Sequence, residues 1–381
     1  MVNFTYHNPT KIEFGKGKET LIGTEIASAK ITKVLLCYGS ERIKSDGLYA
    51  KVTDSLKENG IAWVELSGIV SNPKLTKVNE GIALAKNEHV QAILAVGGGS
   101  VLDSAKTIAV GALHDKDVWD FFLGKATIEK ALPVYAIMTL AATGSEMNGF
   151  AVVTNEVAAQ KYHIHSTLIY PRLSILNPEL TKSVPNDYLA YSAVDIIAHV
   201  IEGYFTAPDQ PHFQSRMVEG IVQTVMETTE ILLKNPEDYN ARAEFTWAAT
   251  QALNGSTTAG TNPTGFPNHM IEHSLSALFN IAHGAGLAIV IPAWMKWFHT
   301  QNPAQFKRFA QKIFGKESVE EGIIELKKWF AKIGAPVSLK EVSIGADAIT
   351  AIAENAAQSA IREGASKLYT QKTIEAILRN A

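Results

Sequence analysis

Hydrophobic and polar positions divide the chain into two parts with different periodicities. Between residues 31 and 140, short apolar runs rich in β-branched residues alternate with segments whose apolar residues recur every three or four positions. Such alternation of strands and helices is typical of a parallel sheet with helices on both faces. The predicted strands are 34–38, 61–66, 91–96 and 133–139, and the predicted helices are 48–58, 75–87 and 101–113.

The pattern changes near residue 180. Before that point, further strand-like runs at 150–154, 161–165 and 173–176 predict an edge hairpin and one more strand. After it, a polar connector leads into helical spacing with almost no strand-like alternation. The helical segments are 187–205, 212–234, 238–254, 268–280, 284–299, 303–313, 317–333, 346–362 and 371–379. The sequence therefore predicts an α/β domain over 1–183 and an all-helical domain over 184–381, with a Gly/Pro-rich loop at 260–268.

Composition excludes several classes of function. The chain has 381 residues, of which 46% are hydrophobic, enough for two folded domains with sizeable cores. The 35 basic and 38 acidic residues give a formal net charge of −3, with no basic cluster of the kind that binds nucleic acid. The longest apolar runs, such as 288–295, are far shorter than the ~18–20 residues that cross a bilayer. We expect neither nucleic acid nor a membrane as a partner.

The amino terminus and the cysteine content bear on location. The opening residues show no basic segment followed by an apolar stretch, so no secretory signal is evident. The single cysteine, Cys37, rules out an internal disulfide framework and a thiolate-rich metal site. Because Cys37 lies in an apolar run, we expect it to be buried. These features predict a cytoplasmic protein.

A run of glycines follows one predicted strand. Gly97, Gly98 and Gly99 lead from the strand into a helix, and Ser100 stands where that helix would be capped. Without Cβ atoms the backbone can approach a ligand closely, and a helix start favours an anion, so the segment predicts a pyrophosphate site. The G-x-G-x-x-G pattern would need a small residue where this chain has Leu102. A tight strand-to-helix turn without a ligand therefore remains the alternative.

A second turn, after the first predicted strand, bears on the choice of cofactor. In folds that select NAD, an acidic residue near this point accepts hydrogen bonds from the adenosine ribose. Here Gly39 and Ser40 occupy that position, and Lys44 follows one helical turn later. A small neutral residue with a nearby cation tolerates a 2′-phosphate, which favours NADP(H) over NAD(H), although Glu41 lies close to the same point.

Carboxylate and imidazole side chains recur at helical spacing in the second half. Asp195 and His199 are four residues apart, as are His269 and His273, so each pair shares one face of its helix. His283 follows after a further predicted helix and turn. An isolated histidine on such a helix is more often structural, but two pairs and a fifth residue favour a metal site. One carboxylate with imidazoles suits a divalent ion such as Fe(II) or Zn(II).

A different enzyme class competes for the same residues. The segment His269–Met–Ile–Glu272–His273 also fits H-x-x-E-H, an inverted zinc-peptidase pattern in which Glu272 would be the general base. Three fixed residues in five make chance matches common. The peptidase reading also leaves the glycine run and the whole parallel sheet without a function.

Segments spread over the whole sequence match motifs of one enzyme family. They are FTYHNPTKIEFGKG from Phe4, GGGSVLD from Gly97, TLAATGSEMN from Thr139, the pair Asp195 and His199, HMIEH from His269 and HGA from His283. Together they resemble the iron-containing (group III) alcohol dehydrogenases, in particular the NADPH-dependent butanol dehydrogenases and aldehyde reductases. The resemblance implies a dinucleotide-binding α/β domain followed by an all-helical metal domain, with the cleft between them.

The resemblance also assigns roles to individual residues. The implied metal ligands are Asp195, His199, His269 and His283. It places His273 beside the nicotinamide and the substrate, as the candidate catalytic residue rather than a ligand. Cofactor contacts are implied for Gly39, Ser40, Asn72, Gly97, Gly98, Gly99, Ser100, Asp103, Thr139, Thr143 and Lys161.

The implied activity is the interconversion of a butanol-like primary alcohol and its aldehyde by hydride transfer with NADP(H). The divalent ion, Fe(II) or Zn(II), would act as a Lewis acid on the substrate oxygen. His273 and a solvent chain are alternatives for moving the proton. The family also implies a homodimer. A binding protein that kept this fold and lost the metal and the chemistry is a third class, beside the dehydrogenase and the peptidase.

Overall fold

The computed structural model describes all 381 residues, which form two compact units. The first unit is Asn8–Ser183, and the second is Val184–Ala381 together with Met1–His7. The sequence assigns residues 1–7 to the first domain, but the structure places them with the helical residues. The Val2 backbone N–H donates to the Gly260 carbonyl at 3.0 Å, and the Phe4 ring lies against the same glycine. Because Val2 and Gly260 are far apart in the sequence, no local pattern could predict this contact.

The first unit is built on a six-stranded parallel sheet with strand order β1-β8-β5-β4-β2-β3. The strands are β1 (Lys11–Phe14), β2 (Lys33–Tyr38), β3 (Ala62–Leu66), β4 (Ala92–Gly97), β5 (Val134–Met138), β6 (Phe150–Asn155), β7 (Gln160–His165) and β8 (Leu173–Leu176). Two details differ from the prediction. The edge strand β1 was not predicted, because its four residues include two charged ones. The hairpin β6–β7 forms an antiparallel sheet of its own instead of an edge of the main sheet.

Helices cover both faces of the parallel sheet. They are α1 (Ile22–Ser28), α2 (Arg42–Ser45), α3 (Leu48–Glu58), α4 (Leu75–Asn87), α5 (Gly99–Gly111) and α6 (Trp119–Phe122). Side chains alternate along β2, so that Leu35 and Cys37 enter one core while Val34 and Leu36 enter the other. This burial on both faces explains why the strand is apolar throughout. Cys37 is fully buried, as expected from its neighbours.

The second unit consists of helices. They are α7 (Asn186–Thr206), α8 (His212–Lys234), α9 (Tyr239–Ala252), α10 (Pro267–Phe279), α11 (His283–Phe298), α12 (Pro303–Phe314), α13 (Val319–Lys332), α14 (Ile349–Arg362) and α15 (Gln371–Leu378). Each predicted helical segment forms one of them. The largest difference in a boundary is three residues, where Ala346–Ala348 forms a 3-10 turn before α14. No helix combines the length and the apolar character needed to cross a membrane.

The helix α7 runs through the interior of this unit. Every residue from Ser192 to Thr206 is buried, although the segment contains Asp195, His199 and Glu202. A helix that is buried on all sides is normally apolar all round. Since a buried charge must be paired or bind a metal, these three polar side chains mark a functional region of α7.

Candidate nucleotide and metal sites

The predicted nucleotide-binding residues lie at one edge of the parallel sheet. Gly39 and Ser40 follow β2, the glycine run follows β4, and Thr139 follows β5. These three strands are neighbours in the order β5-β4-β2, and parallel strands place their carboxyl ends at the same edge. β3 lies on one side of β2 and β4 lies on the other, so the strand order reverses between β2 and β4. Open α/β sheets bind ligands at such a switch point.

The glycine run is required by close packing rather than by an unusual backbone conformation. Gly97 ends β4, Gly98 is the N-cap with φ −88°, and α5 begins at Gly99. A Cβ on Gly99 would lie 2.5 Å from the Thr143 hydroxyl oxygen. Ser100 is therefore in the first turn of α5 and does not cap it, contrary to the prediction. The start of α5 keeps backbone N–H groups that can face a phosphate.

A buried lysine, which was not among the predicted site residues, anchors the loop that follows β5. The Lys106 ammonium, fully buried in α5, donates to oxygens of Ser145, Asn148 and Phe150 at 2.7–3.2 Å. Burial lowers the pKa of Lys106 to about 8, although the nearby carboxylates of Asp103 and Glu146 favour the charged form. The only signal for this role in the sequence is the pair Asp103 and Lys106, three residues apart in a helix that is buried along its length.

Asp103 makes its hydrogen bonds within the protein. Its carboxylate accepts from the Ser145 hydroxyl at 2.8 Å and from the Val152 backbone N–H at 3.1 Å. Asp103 precedes Lys106 by three residues on the same helix, so both side chains hold the segment from Ser145 to Val152 against α5. The same segment begins beside Thr143, one of the residues implied to contact the cofactor.

Two other predicted cofactor residues contact each other. The Lys161 ammonium on β7 donates to the Asn72 side-chain oxygen at 2.9 Å, and both residues are buried. Asn72 has a positive φ of 52°, a conformation that asparagine tolerates better than most residues. The Thr154 backbone N–H donates to the Pro73 carbonyl at 2.8 Å, so the β6–β7 hairpin is attached to the loop after β3.

The turn after β2 carries charges that compensate one another. The Lys44 ammonium lies 2.9 Å from a Glu41 carboxylate oxygen and 3.4 Å from a Glu65 carboxylate oxygen. It also lies over the rings of Tyr38 and Tyr49, at 5.4 and 5.0 Å from their centroids. The cation on which the NADP(H) prediction depends is therefore already paired.

Four predicted metal ligands converge in the second unit. Asp195 and His199 are on α7, His269 is in the first turn of α10, and His283 is the first residue of α11. The Nε2 atoms of His199, His269 and His283 lie 3.6, 3.5 and 3.6 Å from one atom, Asp195 Oδ1. Gly284 allows this approach, because a Cβ there would lie 2.1 Å from the Tyr191 carbonyl oxygen of α7.

These distances fit a divalent cation. At about 2.0–2.1 Å from a tetrahedral ion, nitrogen and oxygen ligands are separated from one another by about 3.4 Å. The three distances from Asp195 Oδ1 to the imidazole Nε2 atoms, 3.5–3.6 Å, are close to this ligand-to-ligand separation. They are too long for good hydrogen bonds. Asp195 Oδ1 and His269 Nε2 are buried without a hydrogen-bond partner. A bound ion would satisfy both atoms, which native interiors seldom leave unpaired.

The protonation of the site agrees with its use as a ligand set. Burial lowers the pKa of His199 to about 3, so this imidazole is neutral and able to bind a metal. Burial alone would raise the pKa of Asp195, but the facing imidazoles lower it below its usual range. For His269, burial favours the neutral imidazole, but the Glu202 carboxylate raises its pKa to about 10. Without an ion, a proton on His269 would take the place of the metal.

Two carboxylates lie behind the ligands: Glu202 was not predicted to have a function, and Glu272 was considered only as the general base of the alternative peptidase. Glu202 Oε2 lies 2.5 Å from His269 Nδ1, and Glu272 Oε2 is hydrogen-bonded to His283 Nδ1. Both glutamates are fully buried. The position of Glu202 on the face of α7 that carries Asp195, seven residues later, is the signal that could have identified it.

His273 lies beside the ligand set. Its ring centroid is 5.6 Å from that of His283 and 6.4 Å from that of His269. Asp195, His199 and His269 form one group of close potential ligand atoms, and Glu272, His273 and His283 form a second. His283 Nε2 also lies 3.6 Å from Asp195 Oδ1, which connects it to the first group. Glu272 accepts from Ser276 and contacts His283, so it does not serve as the general base of a peptidase.

Comparison with known families covers both units. The family model described as iron-containing alcohol dehydrogenase matches residues 9–178, and the model of the C-terminal domain of the Fe-containing alcohol dehydrogenase family matches residues 189–381. Together the two matches span most of the chain.

Individual proteins agree with the family match. The chain is 42% identical to the probable NADH-dependent butanol dehydrogenase 2 of Bacillus subtilis, over 94% of this chain and 93% of that protein. It is 34% identical to the NADPH-dependent aldehyde reductase YqhD of Escherichia coli, over 92% of each. The crystal structure of NADH-dependent butanol dehydrogenase A from Thermotoga maritima is 47% identical, with a TM-score of 0.97 over 100% of this chain and 99% of that one. The chain therefore belongs to the iron-containing alcohol dehydrogenase family and is an NAD(P)-dependent oxidoreductase of alcohols and aldehydes.

Proposed function

We propose that this chain interconverts a small, butanol-like primary alcohol and its aldehyde, with a divalent ion bound by Asp195, His199, His269 and His283. The observation that carries the proposal is the convergence of three imidazole Nε2 atoms on one buried carboxylate oxygen, at 3.5–3.6 Å. The relatives named butanol dehydrogenases support the substrate class. One carboxylate and three imidazoles suit Fe(II) and Zn(II) alike, so both ions are candidates.

Each part of the protein has its own task in this reaction. When bound, the ion supplies Lewis acidity to a substrate oxygen, and the nicotinamide supplies or accepts the hydride. The four ligands hold the ion, and the start of α5 at Gly99 and Ser100 holds the pyrophosphate. Lys161, kept in place by Asn72, is proposed to contact the nicotinamide ribose. His273, beside the ligand set, is the proposed proton-transfer residue.

The remaining proposed contacts follow the sheet edge. Gly39, Ser40, Gly97, Gly98, Thr139 and Thr143 border the proposed nucleotide site. Asp103 is proposed to act indirectly, by holding the loop beside Thr143, because both of its oxygens already accept hydrogen bonds within the unit. A homodimer and a cytoplasmic location stay predictions.

For the cofactor, we propose NADH in preference to NADPH. The NADP(H) prediction depends on a free cation near Gly39, but Lys44 is paired with Glu41 and Glu65. The relatives with 42% and 47% identity are named NADH-dependent, whereas the one with 34% is named NADPH-dependent. The choice between NADH and NADPH concerns the adenosine side of the cofactor and leaves the proposed chemistry unchanged.

His283→Ala tests the proposed function. Losing one of four ligands should remove the ion and abolish aldehyde reduction, while NAD(P)H still binds to the other unit. Elemental analysis of anaerobically purified protein, initial rates on butanal and titration of nucleotide fluorescence measure the three effects. His299→Ala alters a half-buried histidine outside the ligand set, whose Nδ1 contacts the Lys296 carbonyl; it is the control and should keep both metal and activity. Full activity in a metal-free His283→Ala variant would refute the proposal.

A further inference from the structure

We propose that Glu202 and Glu272 are positioning residues that connect the three ligand-bearing helices in series and fix which imidazole nitrogen faces the ion. The carboxylate of α7 orients the histidine that begins α10, and the carboxylate of α10 orients the histidine that begins α11. This inference rests on the proposed metal-dependent function, but it concerns how the chain prepares its ligands and is tested by metal affinity.

Glu202 connects α7 to α10. Its Oε2 atom lies 2.5 Å from His269 Nδ1, while Oε1 accepts the backbone N–H groups of Asn268 and His269, the latter at 3.3 Å. The N-cap residue of α10, Phe266, has no side-chain acceptor. Glu202 therefore replaces the missing cap from another helix and orients the imidazole in the same turn.

Glu272 repeats the arrangement one helix further along. It follows His269 by three residues on α10, and its Oε2 is hydrogen-bonded to Nδ1 of His283, the first residue of α11. Its Oε1 accepts from the Ser276 hydroxyl. A Cβ on Gly286 would lie 2.8 Å from the Glu272 Cγ atom, so the glycine in the first turn of α11 makes room for the carboxylate.

The two pairs determine the tautomer of both imidazoles. A carboxylate can only accept, so Nδ1 of His269 and of His283 must carry a hydrogen. Nε2 is therefore the nitrogen that faces Asp195 and can bind the ion. His199 differs, because its Nδ1 is buried without a partner. Its orientation follows from its place on α7, four residues from Asp195. Two of the three imidazoles are thus positioned from outside the ligand set.

The two glutamates should respond differently to loss of charge. In Glu202→Gln, one side-chain atom becomes an NH₂ group that must face either the α10 backbone donors or the His269 N–H, so one contact becomes repulsive. In Glu272→Gln, the Ser276 hydroxyl can rotate and accept from the new NH₂ group, and the amide oxygen still accepts from His283. If the two glutamates only filled space, the two glutamine variants would not differ in this way.

Metal affinity measures the effect directly. The full chain is freed of metal by chelator dialysis and titrated with Co(II) against a competing chelator, with visible absorbance as the readout. We expect Glu202→Gln to weaken Co(II) binding by about 10–100-fold, and Glu272→Gln by a smaller factor with a shifted absorbance band. Glu219→Gln, which alters a buried carboxylate paired with Arg308 in the same unit, is the matched control and should bind Co(II) like the wild type.

The outcomes separate this inference from the proposed function. Co(II) affinity within about threefold of wild type in both glutamine variants overturns the inference, even if the enzyme is metal-dependent. If Glu202→Gln does not fold by circular dichroism, Glu272→Gln and Glu202→Asp decide, and unchanged affinity in both overturns it. Wild-type protein that binds Co(II) without reducing any aldehyde contradicts the proposed function only. Wild-type protein that binds no Co(II) contradicts both.

Discussion

The turn after β2 shows how single charges can set cofactor choice. Glu41, Arg42, Lys44 and Glu65 carry two negative and two positive charges, which sum to zero. Arg42 donates to the Ser183 carbonyl at 3.0 Å and is exposed, while Lys44 is held by both carboxylates. A 2′-phosphate at this turn would meet no net positive charge.

Glu41→Gln should therefore shift the cofactor preference towards NADPH. Removing this exposed carboxylate leaves Lys44 with one partner, so we expect kcat/KM for NADPH to rise about fivefold, with NADH nearly unchanged. Initial rates on butanal with both cofactors measure the ratio, and Glu58→Gln on the exposed end of α3 is the control. A wild type that prefers NADPH would refute the proposal of NADH, and an unchanged ratio in Glu41→Gln would show that Glu41 does not set the preference.

Single residues also show which parts of the site were predictable. The pair Asp195 and His199 could be proposed as ligands because helical spacing is a local signal. The same spacing points to Glu202, but the partners of Glu202 and Glu272 are His269 and His283, which begin other helices and cannot be paired from the sequence. The role of Lys106 was hidden for the same reason, because its oxygen partners are 39 to 44 residues away.

Among the elements, α5 links the glycine run to the loop after β5. Its first turn lies at the proposed pyrophosphate site, and Asp103 and Lys106 hold Ser145 and its neighbours one turn further along. The helix thus fixes two segments of the nucleotide site relative to each other. Because Gly99 is in contact with Thr143, a displacement of the loop changes both segments.

Lys106→Met should destabilise the first unit. Five oxygens, four of them in buried hydrogen bonds, lose their contact with the ammonium, and Asp103 loses its nearby opposite charge. We therefore expect the free energy of unfolding to fall by about 3–5 kcal/mol. Urea unfolding measures the change, and NAD(P)H binding should weaken while Co(II) affinity stays constant. The double variant Asp103→Asn with Lys106→Met should lose less than the sum of the single losses. Additive losses would show that the two residues act independently.

The element boundaries explain where sequence patterns succeed. The helices of the second unit were predicted within three residues because long apolar periodicities dominate them. The four-residue strand β1 has no such pattern, and whether the β6–β7 hairpin joins the main sheet depends on tertiary contacts. α5 begins at Gly99, with Gly98 as its N-cap, and not after Ser100 as predicted. A Cβ at Gly99 would collide with Thr143, a tertiary contact that the local pattern does not show.

In the whole molecule, the residues proposed for the two chemical tasks lie in separate compact units. The proposed nucleotide residues belong to Asn8–Ser183, and the four proposed metal ligands belong to the unit that contains Val184–Ala381. The change of pattern near residue 180 lies close to the boundary between Ser183 and Val184. The placement of Met1–His7 was not predictable, since it depends on contacts with Gly260.

Removing the ion should loosen one unit only. At a free ion concentration of 100 times Kd, binding adds about 2.7 kcal/mol to the free energy of unfolding, and a chelator removes this contribution. We expect faster amide hydrogen exchange in α7, α10 and α11, with no change in β2, β4 and β5. His283→Ala should show the faster exchange before any chelator is added. If amide exchange in the sheet became equally faster, the loss of the ion would destabilise both units and the prediction would be wrong.

The burial of Cys37 makes the protein convenient to label. Its thiol lies inside β2, and burial raises its pKa, so maleimide reagents should leave it untouched in the native state. A cysteine placed by Val157→Cys, at a position 91% exposed in the turn of the β6–β7 hairpin, would be the single reactive group. One fluorophore per chain could then follow nucleotide binding at the hairpin that carries Lys161, with every native side chain of the site intact.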